Sequence, residues 1–396
     1  MNKAQGSSMN QFKKHTFMLL MTMACMLFAS SAMAQALAQR NSPRMMQGVR
    51  AQGMGNAFIA VDGTDENAIF YNPAAINDYE NKFHFQFLLP TAEFSYKAIN
   101  FFASDITDLA DDIDGAANDA AKINAFDTFA ANNTGRYEEV DVRGSAVIMM
   151  HKYITASLFY ESAGVIALTN PILSTVDIET VSQAGLMVGS AYSFFDDHLQ
   201  VGGAVKFIER HMIDETLTNR DIVANNDFGD ALDTKQFGFG VGFDIGLKGK
   251  LPCEGVKFCD VMDPRLAITL QDIGDTRFFA GDDVGRQQQS LSAGFAFNPK
   301  FWKLESTLAV DVRDLDHRTD FLNKFHAGAE VRWPEISKIL REVSVRLGVN
   351  QIYLAAGLGL DFKYFKLNFA TYGRDIGSKT IQKQSRMFSF QLAAGF

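Results

Sequence analysis

Cysteine, tryptophan and long apolar runs are scarce in this chain of 396 residues. Only three cysteines and two tryptophans occur, against 35 phenylalanines and 31 glycines. Beyond residue 34, no apolar run approaches the 18 residues expected of a membrane-spanning helix. The net charge of -9 argues against a nucleic-acid partner. Many aromatic residues with glycines scattered among them favour β-structure over a helical bundle.

The N-terminus predicts export. A basic segment precedes an apolar run at residues 17–28 and an A-x-A motif that ends at Ala34. This order is typical of a signal peptide, so we expect residues 1–34 to be removed. The residues before Cys25 make a poor lipobox, which disfavours a lipoprotein. An exported chain without a membrane helix can enter a membrane only as a closed barrel.

Two cysteines remain after this cleavage, Cys253 and Cys259. Because they lie close together in an exported chain, and no histidine or third cysteine is near, a local disulfide is favoured over a metal site.

Alternation of large and small residues is the dominant pattern. In residues 236–247, QFGFGVGFDIGL, large apolar side chains alternate with glycines and polar residues. In a soluble sandwich the large face would be the core. In a membrane barrel it would face lipid, and the small face would line the interior.

The same pattern recurs about fourteen times. The connections alternate between a mostly long, polar set and a mostly short set, as expected for the extracellular and periplasmic ends of an outer-membrane barrel. We therefore predict an all-β fold, a transmembrane antiparallel β-barrel in the bacterial outer membrane. The predicted strands are 82–97, 139–150, 152–163, 177–193, 197–210, 235–248, 264–274, 287–297, 303–313, 323–333, 343–350, 352–362, 365–373 and 386–396.

Two features of the strand ends agree with this location. The C-terminal strand places Phe388, Phe390 and Phe396 on one face and ends on an aromatic residue, which is similar to the strand by which outer-membrane barrels are recognised for assembly. The expected partners are therefore outer-membrane lipid, lipopolysaccharide and the barrel assembly machinery. An aromatic girdle is predicted at the periplasmic ends, made by Phe194, Phe195, Phe301, Trp302, Trp333, Tyr364 and Phe365.

The first long connection, residues 98–138, carries apolar residues at helical spacing with aspartates between them. We predict an amphipathic acidic helix or helical hairpin over the barrel mouth. The alternative is a calcium loop, but DITDLADDIDG lacks the EF-hand spacing.

Residues 50–77 hold small residues, glycines and one Asn-Pro turn just before the first strand. The segment reads either as a glycine-rich loop or as a compact plug whose small residues allow close packing against a wall. The candidate residues of this plug are Gly53, Gly55, Phe58, Phe70, Tyr71, Asn72, Pro73 and Ala74.

This segment and the closing region at 346–373 resemble the FadL-type family of outer-membrane barrels, which includes fatty-acid and hydrocarbon transporters and secretion-associated PorV-like relatives. The resemblance implies a signal peptide at 1–34, a hatch in the lumen at 35–80 and a barrel at 81–396. It also implies a kink that opens the wall sideways, for which Gly164 in the third strand is the matching position.

Two functions remain open from the sequence. One is a channel for hydrophobic small molecules, and the other is a non-conducting scaffold of an envelope secretion or conjugation-type system. No cofactor motif appears, and an enzyme is not expected: His211 and His317, each with nearby carboxylates, are read as solvated loop charge. The residues predicted to face inward mix both charges, and Glu330 is predicted to lie opposite Arg346.

Overall fold

The computed structural model describes residues 46–62, 65–87, 90–168, 174–221, 236–252, 257–301, 303–317, 321–375 and 384–395. Within them the chain forms one antiparallel sheet that closes on itself. The strands are β1 His84–Phe87, β2 Thr91–Ser95, β3 Tyr137–His151, β4 Ile154–Ala167, β5 Thr175–Phe194, β6 Leu199–Thr218, β7 Gln236–Lys250, β8 Arg265–Gln271, β9 Thr276–Phe279, β10 Arg286–Gln287, β11 Ser290–Phe297, β12 Lys300–Phe301, β13 Leu304–Val312, β14 Phe325–Pro334, β15 Leu340–Asn350, β16 Tyr353–Phe362, β17 Phe365–Asp375 and β18 Gln384–Gly395.

These segments make a closed barrel of fourteen strands, as the alternation predicted. Three of the fourteen consist of more than one piece: β1 with β2, β8 with β9, and β10 with β11 and β12. The seam pairs β18 with the first strand, with Phe388 opposite Phe94 and Ala394 opposite Phe87. Pro90 lies where the first strand is divided, because proline has no N–H to give to the ladder.

The two faces of the wall differ as the alternation predicted. The outer face exposes a band of apolar side chains, among them Phe207, Phe243, Leu308 and Leu358. Buried charged and polar side chains, including Asp311, Glu330 and Arg346, point into the lumen. An apolar exterior around a polar interior is the arrangement of an outer-membrane β-barrel.

The predicted girdle is present where the structure describes it. Phe194, Phe195, Trp333, Tyr364 and Phe365 are all exposed on the outer surface, with Trp333 58% and Tyr364 62% accessible. The side chains of Phe301 and Trp302 lie outside the described part.

Helices form outside the wall strands. A short helix α1, Val49–Gly53, and two 3-10 turns, Ala68–Phe70 and Pro73–Asp78, precede the barrel. The predicted acidic helices are found in the first long connection. The remaining helical segments are α2 Ala98–Asn100, a π-turn Phe101–Asp105, α3 Ile106–Asp114, α4 Asp119–Asn132, α5 Lys257–Met262 and α6 Phe321–Lys324. Within the described residues, none of the helices has the length and apolar character needed to span a membrane.

Candidate functional site: the hatch and the lumen

The segment 46–80 lies inside the barrel, which makes it a hatch rather than a surface loop. Its apolar residues are buried, and α1 packs on β15–β17 while the turn Pro73–Asp78 packs on β5–β7. We call the described residues 46–80 the hatch below.

The hatch approaches the wall so closely that side chains are excluded at the contact. A Cβ added at Gly348 would lie 2.5 Å from the amide nitrogen of Gly55. Gly55 itself has a φ of +64° and lies against the carbonyl of Val349, so it needs both the left-handed conformation and the missing side chain. Gly53 likewise faces Gly357 across the contact. The small face of the barrel strands therefore serves to seat the hatch.

Asn72 and Pro73 form the second contact with the wall. The side-chain oxygen Oδ1 of Asn72 accepts a hydrogen bond of 3.0 Å from the backbone N–H of Ala74. This bond caps the 3-10 turn that begins at Pro73. The Asn72 amide donates to the carbonyl oxygens of Ile59 (3.1 Å) and Leu247 (3.3 Å). This one side chain therefore caps the turn and ties it to β7.

The aromatic hatch residues pack against charged groups as well as apolar ones. The ring centroids of Phe58 and Tyr71 are 5.1 Å apart, and the Arg50 guanidinium lies 5.2 Å from the centroid of Phe58. Tyr71 is buried and its hydroxyl oxygen accepts a hydrogen bond from the backbone N–H of Gly48. Burial raises the pKa of Tyr71 to about 12, so its hydroxyl stays protonated.

Ion pairs fasten one side of the hatch to β14 and β15. Arg50 Nη2 lies 2.5 Å from Glu330 Oε2, and Arg346 Nε lies 2.7 Å from Glu330 Oε1. Glu330 is opposite Arg346, as predicted. Although burial disfavours the charged form of Arg50, the carboxylates of Glu330 and Asp65 outweigh it and raise its pKa above the usual value. Arg50 is therefore a fixed cation between hatch and wall.

A second group of contacts holds the hatch backbone. Asp311 accepts hydrogen bonds from the N–H groups of Phe58 (2.6 Å) and Ile59 (2.9 Å). Lys248 donates to the carbonyl oxygen of Val61 (2.9 Å) and pairs with Asp78. Interior charges thus satisfy backbone groups that the irregular hatch cannot satisfy itself.

The lumen beside β3–β6 differs in that it also holds an apolar cluster. A lower cluster joins hatch residues Ile69, Phe70 and Ile76 to Phe159, Met187 and Ile208 of the wall. The ring of Phe70 meets that of Phe159 edge to face at 5.9 Å.

An upper cluster lies under the helices of the first long connection. Phe101, Ile113 and Phe126 of that connection are fully buried against the extracellular ends of β4–β6, where the wall contributes Ile166, Ile178 and Leu217. The prediction of amphipathic acidic helices in this connection is confirmed, but they do not cover the barrel mouth with their apolar face. Ile166, Ile178 and Leu217 lie on the same, outward face of the strands as Leu158 and Phe207, so the helices pack on the outside of the wall there.

A small cavity of about 20 Å³ separates the hatch from β5–β8. It is enough for about one water molecule. Phe70, Tyr71 and Met187 line it together with charged residues, among them Lys206, Asp244, Asp272 and Arg313. Lys206 Nζ lies 2.9 Å from Asp244 Oδ1 and 2.6 Å from Asp272 Oδ1.

The predicted kink at Gly164 is not found. Gly164 pairs with Val140 on one side and Thr180 on the other, and neither ladder shifts register there. Irregularities occur instead between Ser145 and Val147, between Leu340 and Glu342, and where Pro90 divides the first strand. A glycine tolerates a kink but does not cause one, and here the paired neighbours keep the strand regular.

The other predicted residues fall as follows. Phe388 and Phe390 lie at the seam, and both rings have centroids 6.1 Å from that of Phe94 on the first strand. Phe396 lies outside the described residues, so its role in assembly stays a prediction.

Cys259 is disulfide-bonded in the connection after β7, whereas Cys253 lies outside the described residues.

Of the two histidines, His317 lies in a loop as predicted, whereas His211 lies on β6, because this strand continues to Thr218. His211 Nε2 is 2.9 Å from Glu209 Oε1 on the exposed surface. The Nε2 atom of His317 is 2.6 Å from the carbonyl oxygen of Gln289, and Asp314 and Asp316 are 3.8 Å and 4.0 Å away.

No protein-family model matches this chain, and no curated protein matches it. Among solved structures, it is similar to the toluene transporter TbuX of Ralstonia pickettii, with 11% identity, a TM-score of 0.49 and coverage of 88% of this chain and 98% of the other. The toluene transporter TodX of Pseudomonas putida shows 12% identity, a TM-score of 0.48 and coverage of 91% and 99%. A Pseudomonas aeruginosa FadL homologue shows 10% identity, a TM-score of 0.43 and coverage of 87% of this chain and 97% of the other. These neighbours are of the FadL type, the family that residues 50–77 of this chain resemble.

Proposed function

We propose that this barrel passes small hydrophobic molecules along the side of the lumen formed by β3–β6. The observation that carries the proposal is the lower cluster, in which apolar side chains of the hatch and of the wall meet inside the lumen. Phe159 on β4, Met187 on β5 and Ile208 on β6 face inward and contact Ile69, Phe70 and Ile76 of the hatch.

The surroundings of the lower cluster support the proposal. It contains Ile148, which is opposite Gln86 in the divided first strand. Ion pairs hold the hatch at β14 and β15, on other strands than β3–β6. Passage would then need movement of apolar contacts of the hatch, while its ion-paired side stays in place.

A blocking variant tests this route. Ala163 is buried on the inner face of β4, four residues beyond Phe159 of the lower cluster, so Ala163→Trp would fill the lumen next to that cluster. We expect uptake of toluene or n-octane into cells to fall several-fold, measured against cells that lack the protein. Val142→Trp is the matched control, because Val142 faces outward on β3 and is exposed. Uptake that the protein never accelerates, or that Ala163→Trp leaves unchanged, would contradict the route.

The second candidate is a non-conducting scaffold. The anchoring of the hatch by Glu330, Asp311 and Lys248 favours it, as does the small size of the cavity beside Tyr71. Deleting residues 50–77 separates the two candidates. Both predict cells permeable to normally excluded antibiotics, but only the channel predicts faster uptake of an apolar solute by the intact protein. If the deletion variant makes cells permeable but the intact protein never accelerates uptake of an apolar solute, the scaffold is the function that remains.

A further inference from the structure

A row of polar side chains crosses the lumen next to the lower apolar cluster. Arg143 on β3 is opposite Glu161 on β4, Glu161 is opposite Gln183 on β5, and Gln183 is opposite Arg210 on β6. All four are buried, with exposures between 1% and 4%. A solute that moves along the inner face of these strands would meet this row beside the lower cluster.

Glu161 in this row has weaker partners than a buried carboxylate needs. Within the described residues neither of its oxygens has a donor at full hydrogen-bond geometry, although it is only 3% exposed. Its neighbours are Arg143 Nη1, 3.7 Å away, and the backbone N–H of Met46 in the hatch. A buried carboxylate held this loosely is costly, because it has lost water and gained little in exchange.

Arg143 cannot supply a closer donor, since its terminal nitrogens are engaged elsewhere. Its Nη2 pairs with Glu93, and its Nη1 lies 3.0 Å from Asp141 Oδ2. Glu93 also accepts from Gln52 (2.7 Å) and Ser389 (2.7 Å) and so is well satisfied. Three carboxylates therefore share one guanidinium, and the shortfall falls on Glu161 and on Asp141, whose Oδ1 has no partner.

Acceptors dominate the unsatisfied atoms of this region. Besides those of Glu161 and Asp141, the carbonyl oxygen of Gln183 is unpartnered, while the free donors are the Nε atoms of Arg143 and Arg210. Arg210 is held on the far side, with Nη2 3.0 Å from Gln287 Oε1 and its guanidinium 4.1 Å from the ring centroid of Phe278. Around Glu161 the acceptors therefore outnumber the donors, and one guanidinium faces three carboxylates.

We propose that Glu161 binds the ammonium group of a small amphipathic solute. An ammonium group supplies three donors and one positive charge, which matches the two oxygens of Glu161 with Asp141 Oδ1 and Gln183 Oε1 nearby. Phe159, two residues along on the same face of β4, belongs to the lower apolar cluster and would contact the apolar body. This assignment rests on the proposed passage along β3–β6 and narrows its substrates to apolar amines.

The test uses the purified full-length mature protein and three water-soluble probes of one shape: benzylammonium, benzyl alcohol and benzoate. We expect benzylammonium to bind at least tenfold more tightly than the other two, by calorimetric titration. Glu161→Gln keeps the shape and removes the charge, so it should lower the affinity for benzylammonium at least tenfold. Glu209→Gln, the same change on the exposed outer surface, should leave it unaltered.

Each other result would overturn the proposal. Benzoate or benzyl alcohol binding as tightly as benzylammonium would remove the requirement for a cation. Full affinity in Glu161→Gln would show that the carboxylate is already neutral or is uninvolved. Equal competition by potassium or ammonium chloride would assign the site to a simple cation without an apolar body. A heat-dependent mobility shift in detergent gels checks that both variants are folded.

Binding and uptake fail separately. If cells show no accelerated uptake but the purified protein binds benzylammonium through Glu161, the passage proposal is wrong and the site remains. If uptake of toluene is accelerated but benzylammonium does not bind, the route remains and the assignment of Glu161 is wrong.

Discussion

Two buried glutamates, Glu330 on β14 and Glu161 on β4, show how differently the two sides of this lumen are built. Both point inward and are nearly inaccessible, at 1% and 3%. Glu330 lies within hydrogen-bond distance of Arg50 and Arg346, whereas the nearest guanidinium nitrogen to Glu161 is 3.7 Å away. Buried ion pairs thus anchor the hatch at β14 and β15. At β5 and β6 the hatch is held by apolar contacts and by hydrogen bonds from neutral donors, such as that from Gln200 to Asp78.

The largest effect is expected from overfilling the anchored side. Gly348→Val would place a side chain on the backbone of Gly55, which is itself confined by Val349. Overpacking of this kind costs about 3 kcal/mol or more when the opposing atoms are backbone. We expect little folded protein, measured as the heat-modifiable band in the membrane fraction.

The control for this change is Gly164→Val, also in a barrel strand. A Cβ there would meet its nearest atoms at 3.8 Å, an ordinary contact. We expect normal accumulation, since valine suits a strand. Equal loss of both variants would mean that the seating of the hatch is not what limits folding.

The next largest effect separates the two glutamates. Glu330→Gln removes the anion between two buried guanidinium groups, which costs about 3–5 kcal/mol in the free energy of unfolding. Glu161→Gln replaces a loosely held carboxylate with a neutral amide and should cause no loss of stability. Urea titration of the refolded proteins in lipid vesicles measures both. Similar losses would remove the contrast between the two sides.

A smaller effect is expected from Asn72→Ala, which removes both a cap and a tie to the wall. The cap contributes about 1 kcal/mol, and the bonds to Ile59 and Leu247 should add about 1 kcal/mol more. Asn118→Ala is the matched control, because Asn118 caps α4 by a 3.0 Å bond to Ala121 but lies outside the lumen. The same urea titration applies, and equal losses for the two variants would mean that the tie from Asn72 to β7 adds no stability.

Much of the fold could be predicted because a barrel repeats one rule along its sequence. Alternation alone gave the strand number, and the register of Glu330 with Arg346 followed from a short connection. The pattern is clearest in β7, where glycine alternates with phenylalanine. It says less about β4–β6, where Phe159, Met187 and Ile208 point inward while Leu158 and Phe207 point outward. Because these strands carry apolar residues on both faces, their sequences do not show which face points into the lumen.

The candidate site was harder to predict for a related reason. The hatch residues around Asn72 were visible from local turn chemistry. The lack of a close donor for Glu161 depends on where Arg143 directs its nitrogens, and that is set by Glu93 and Asp141 on two other strands. Which of several buried carboxylates lacks a close donor can be seen only when the register between strands that are distant in sequence is known. The apolar clusters on β4–β6 likewise join residues of several strands, so no single stretch of sequence indicates them.

The contacts of the hatch also constrain the order in which this protein can fold. The hatch precedes the first strand in the chain, yet Arg50 reaches Glu330, 280 residues later, and Asn72 reaches Leu247, 175 residues later. No early hairpin can hold such a segment in place. A wall that closed its seam between β18 and the first strand before the hatch entered would trap an empty lumen with unpaired charges. The N-terminal segment must therefore enter the lumen before the wall closes, and the pairing of β18 with the first strand then encloses it.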